Sequence, residues 1–154
     1  MKVLLLHLDG RLPNLALLRL AAHHRALGDD VLLRRAGNLA ALEPRLDDPR
    51  WDRVCASLIF ARTRPLGERV RALWPDAIIG GTGWDLAATL EGVGVTTGAL
   101  DYADYPQWRQ SIGFTQRGCR LRCSFCVVPR TEGAVREELS IAEIWRGDHD
   151  PLRA

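Results

Sequence analysis

A doubly wound α/β fold of the flavodoxin-like or Rossmann-like kind is predicted over residues 1–100 by three observations. Short apolar runs alternate with helical stretches, the runs are continuous rather than alternating as suits strands buried on both faces, and Gly or Pro punctuates the junctions. Parallel strands joined by right-handed crossovers follow from that alternation.

The first strand is "KVLLL" at 2–6. "LALLRLAAHHRALG" follows as a helix, with Asn14 a candidate N-cap and Gly28 its stop. "VLLRR" at 31–35 predicts the second strand, "RVCASLIF" at 53–60 the third and "AIIG" at 77–80 the fourth. Between the second and third, a short helix from Asn38 precedes a loop carrying Pro44, Pro49 and the pair Asp47 and Asp48. "PLGERVRALW" predicts a helix before the fourth strand, and "WDLAATLEG" at 84–92 another after it. Residues 101–110, where both tyrosines lie among acids and a proline, predict a linker. Beyond it "SIGFTQ" at 111–116 reads as a strand, and Ser140 with Glu143 forms a capping-box pattern that opens a helix ending at Gly147.

The 154 residues are 47% apolar, enough for a buried core. The formal charge is +2, from 21 basic and 19 acidic residues spread along the chain, so nucleic acid is not indicated as a partner. Lys2 is the sole lysine; the arginine bias is read as composition. No stretch approaches the roughly 20 apolar residues of a membrane span, and the N-terminal run is too short for a signal peptide. A cytoplasmic location is therefore expected, where clustered cysteines are metal ligands or catalysts rather than disulfides.

The chemistry concentrates in "GCRLRCSFC" at 118–126, which sets Cys119, Cys123 and Cys126 at C-x3-C-x2-C. Thiolates suit zinc or iron-sulfur. Structural zinc takes four protein ligands, and the nearest candidate fourth, His149, lies beyond a predicted helix. Three thiolates leave an open position of the kind a substrate can fill.

With Phe125 before its last cysteine, this loop resembles the cluster motif of the radical S-adenosylmethionine (radical SAM) superfamily. The longer stretch "GFTQRGCRLRCSFCVVPRTEG" resembles members that carry an N-terminal cobalamin-binding-like domain. The resemblance implies a [4Fe-4S] cluster held by Cys119, Cys123 and Cys126, with SAM on the fourth iron. It implies Phe125 against the SAM adenine, an electron donor such as flavodoxin or ferredoxin, and a 5'-deoxyadenosyl radical acting on an unknown substrate. Residues 111–154 would then be the first strand, cluster loop and helix of a TIM-like barrel. That fold needs about 200 residues or more and only 127–154 follow the loop, so the barrel is expected to be truncated. Arg120, Arg122 and Arg130 surround the loop, as a polar surface or as charge that favours a reduced cluster.

Cobalamin is not expected. The D-x-H-x-x-G pattern of domains that bind it is absent, the region after the first strand reading "HLDGRLPN". His7 is read as structural, His23 and His24 as partly exposed helix residues, and Cys55 as a core residue. "GGTGWD" at 80–85 resembles the glycine pair of such domains only weakly. Two alternatives stay open: a non-catalytic zinc or iron-sulfur module serving interaction or nucleic-acid binding, and an α/β binding domain whose cysteines carry no chemistry.

Overall fold

The structure, a computed structural model, describes residues 1–121 and 123–147. The chain divides into two units, Met1–Pro106 and Gln107–Ala154.

The first unit is mixed α/β, built on a four-stranded parallel sheet in the order β2-β1-β3-β4. Its strands are β1 (Lys2–His7), β2 (Asp30–Arg35), β3 (Arg53–Ser57) and β4 (Ile78–Gly80). This order is compatible with a flavodoxin-like or Rossmann-like domain. β1 is central and buried from Val3 onward, which explains why its sequence is apolar at every position instead of every second one. It pairs Lys2 with Asp30 on one side and Leu5 with Cys55 on the other.

The helices are α1 (Leu15–Ala26), α2 (Leu39–Leu42) and α3 (Arg64–Leu73). Asn14 caps α1 as expected, its side-chain oxygen accepting from Ala16 and Leu17 N–H while its amide donates to the Ser57 hydroxyl at 2.8 Å. Asn38 caps α2, accepting from Ala41 N–H at 2.9 Å. On one face of the sheet Leu4, Leu6, Val54, Ala56 and Ile79 pack with Leu42, Leu66 and Val70 in a single core. Burying each such leucine contributes roughly 1.5–3 kcal/mol. The two-residue period turns Val3, Leu5 and His7 to the opposite face.

Several elements differ from expectation. β3 ends at Ser57, not Phe60, because the Ile59 and Phe60 amides leave the ladder and donate to the Asp9 carboxylate, both at 2.8 Å. The helix expected over 84–92 is absent. Asp85 donates its N–H to Gly81 O and accepts from Ala87 N–H at 2.8 Å, an Asx turn that takes the backbone off a helical path. Only a 3-10 turn at Glu91–Val93 remains.

The segment read as a linker is partly anchored in the first unit. Tyr102 and Tyr105 are buried, and Arg25 of α1 holds Asp101 at 2.8 Å and Asp104 at 2.6 Å. Tyr105, 2% exposed, meets His7 through its hydroxyl at 3.0 Å from Nδ1. Burial, together with the nearby Arg35 charge, pushes the His7 imidazole below its usual pKa, and burial raises that of the tyrosine, so both are neutral at pH 7.

The second unit contains β5 (Gln116–Arg117), α4 (Val128–Thr131), β6 (Arg136–Glu137) and α5 (Ile141–Ile144). β5 covers only the end of the strand expected at 111–116, and its partner is antiparallel: Gln116 faces Glu137 and Arg117 faces Arg136. α5 begins at Ser140 with the capping box formed, Glu143 N–H donating to the Ser140 hydroxyl at 3.2 Å. It stops at Ile144 and not Gly147, since Arg146 N–H turns to the Ser111 hydroxyl at 3.0 Å and its guanidinium donates to Trp108 O at 2.8 Å. Among the described residues no helix is long and apolar enough to cross a membrane.

Candidate functional site

The cysteine loop hangs from the β5–β6 stem. Glu138 N–H donates to Thr115 O at 3.0 Å and Leu139 N–H to Phe114 O at 3.3 Å, lengthening the stem past its two paired residues. The loop leaves β5 at Gly118, whose φ is +80°, a conformation costly for any residue with a side chain. A Cβ there would also stand 2.1 Å from Ala134 O. Gly118→Ala is therefore expected to displace the loop and expose its thiols, read as a severalfold faster alkylation of Cys119. An unchanged alkylation rate would contradict this geometry.

Beyond Gly118 the backbone turns twice. Leu121 N–H donates to the Cys119 sulfur at 3.4 Å, and Cys126 N–H to Cys123 O at 3.1 Å. α4 then carries the chain back toward β6. All three cysteines are half-buried and line one cavity of about 670 Å³ together with Arg120 and Arg130. Its lining contains no carboxylate or imidazole among the described residues. Nor do any three His, Cys, Asp or Glu side chains among those residues converge on one ion position. The structure thus gathers the three predicted thiols around a space instead of a point.

Phe125 is 91% exposed and does not line the cavity. Arg122 and His149 lie outside the described residues. Glu132, which sequence reasoning passed over, enters the site: its Oε2 accepts the Gly118 N–H at 3.0 Å. The available signal was the "EG" pair at 132–133, just after the cysteine motif.

The remaining candidates lie in the first unit. His7 is buried and bound to Tyr105; its Nε2 has no hydrogen-bond partner among the described residues. His24 is also buried, with Nδ1 2.7 Å from Asp29, while His23 is half-buried and meets the His24 ring edge-on. Gly81, at φ +104°, runs so close to Leu58 that a Cβ would stand 2.2 Å from its carbonyl oxygen. With Gly80, Ser57 and Cys55 it lines a smaller cavity of about 170 Å³. Burial there pushes the Cys55 thiol up to about 11, which leaves it protonated and unreactive at neutral pH.

The donor chemistry of the larger cavity is compatible with a cluster. Three soft thiols surround one concavity, with positive charge beside them and no fourth protein ligand among the described lining. Comparisons of the chain with protein-family models, with curated proteins and with solved structures find no match.

Proposed function

We propose that residues 114–137 are the cluster-binding loop of a radical SAM enzyme, or of an N-terminal piece of one, behind a flavodoxin-like domain. The observation that carries this reading is the opening of Cys119, Cys123 and Cys126 onto one cavity, with no fourth thiol or imidazole among the described residues of its lining. A [4Fe-4S] cluster binds each thiolate through a different iron, so its ligands need not converge on a point as those of a single zinc ion must.

Bound there with SAM, the cluster would supply the electron that cleaves the sulfonium to a 5'-deoxyadenosyl radical. The chain's own part is to bind and orient. The three thiolates hold the iron, the N–H of Leu121 on the Cys119 sulfur steadies one of them, and Arg120 and Arg130 offset the accumulated negative charge. The exposed Phe125 ring offers a face on which adenine can stack. A flavodoxin- or ferredoxin-class protein would provide the reducing electron, and the substrate is left open.

The test is anaerobic reconstitution of the full chain with iron and sulfide. About four irons per chain, and a reduced-state electron paramagnetic resonance signal that changes on adding SAM, are expected. A chain that takes up zinc but no iron, or a signal indifferent to SAM, would replace this reading with a metal-binding module.

A further inference from the structure

We propose that Glu132 is the latch of the cysteine cavity, a positioning residue that fixes where Cys119 stands. Its consequence for iron rests on the cluster reading above; the latch itself rests on geometry alone.

Glu132 follows α4 immediately, and its own N–H donates to Val128 O at 2.8 Å, so the end of that helix anchors it. From there its Oε2 reaches back fourteen positions to accept the Gly118 N–H at 3.0 Å. The next carbonyl, Gly133 O, accepts the Cys119 N–H at 3.2 Å, and Ala134 O lies where a Gly118 Cβ would be. Residues 132–134 therefore close over the first two positions of the cysteine motif. Because α4 starts two residues after Cys126, a closed path runs from Cys126 through α4 to Glu132 and across to Gly118 and Cys119. The two ends of the motif are held together by this side chain and by the adjacent backbone bond from Cys119 N–H to Gly133 O.

The identity of that side chain has a consequence of its own. A carboxylate makes a stronger bond to a backbone N–H than an amide does. It also places negative charge on the residue next to Cys119, which works against adding an electron to any cluster the thiols hold. An amide could make the same bond without that penalty. Glu132→Gln should therefore separate the latch from the charge, whereas Glu132→Ala should remove both.

Amide hydrogen exchange on the full chain reads the latch without iron. Exchange at Gly118 and Cys119 is expected to quicken about tenfold in Glu132→Ala and to stay near wild type in Glu132→Gln. The β1 amides should be unchanged in both, which excludes general unfolding. After reconstitution, Glu132→Ala should release iron to a chelator severalfold faster, and Glu132→Gln should hold its iron at a more positive midpoint potential than wild type. Unchanged exchange in Glu132→Ala, or identical behaviour of the two variants, overturns the latch. A wild-type chain that binds no iron overturns the cluster reading instead, and the exchange data still decide the role of Glu132.

Discussion

Cys123→Ala is expected to reduce iron incorporation from about four per chain to background, while Cys55→Ala leaves it intact. The two positions differ in every respect that matters to a metal. Cys123 is half-buried in the lining of the large cavity, and its carbonyl already holds the Cys126 amide, so alanine preserves the turn and removes only the sulfur. Two thiolates cannot take the place of three on a cluster that already lacks a fourth. Cys55 sits in β3 among apolar neighbours, with its thiol held protonated. Its loss costs packing and nothing else. Iron analysis with far-ultraviolet circular dichroism on the same samples checks this: iron retained by Cys123→Ala, with folding unchanged, would mean that the thiols do not act together.

A second large effect concerns stability. Asp48→Ala is expected to destabilise the first unit by about 3–5 kcal/mol, the range seen when one partner of a buried ion pair is removed. Arg34 lies in β2 with only 5% of its side chain exposed; its Nη2 donates to Asp48, while Nε and Nη1 find no partner among the described residues. Among the described residues Asp48 is therefore the anion that compensates this buried guanidinium. Urea titration measures the loss, and the double variant Arg34→Met with Asp48→Ala should recover much of it, since no charge is then stranded.

The pH dependence of that difference has a defined sign. The hydrogen bond from Arg34 holds the Asp48 carboxyl below the ordinary carboxylate range. A group whose folded pKa is depressed stabilises fully above its unfolded value, about 3.9, and loses that contribution as pH falls through the lower folded value. The gap between wild type and Asp48→Ala should be constant at neutral pH and shrink as acid takes the pH through the unfolded value and on below it. A gap indifferent to acid would remove the ion pair as its cause.

Much of the first unit was legible because its signals are local. The unbroken apolar run of 2–6 could only be satisfied by a strand covered on both faces, and Asn14 and Asn38 stand at helix starts with the side chains that caps require. The failures come from side chains that capture backbone amides at a distance. Asp9 ends β3 from fifty positions away, and no reading of "SLIF" alone reveals that its amides have a competitor. Asp85 does the same locally and unmakes a helix whose composition was suitable. In the second unit the three cysteines announced themselves by spacing, yet their frame did not. The antiparallel return of β6 and the reach of Glu132 to Gly118 depend on a pairing that a two-residue strand cannot advertise in sequence.

The contact between Tyr105 and His7 sets an order for biosynthesis. The strand β1 precedes the other three of its sheet in synthesis, but the hydroxyl that meets its last imidazole is added 98 residues later. Until then the imidazole at one end of that strand lacks the hydroxyl that meets its Nδ1 in the finished unit. A nascent chain halted before Tyr105 would hold a sheet whose oldest strand is the last to be sealed, and completion of the unit waits on almost its final residue.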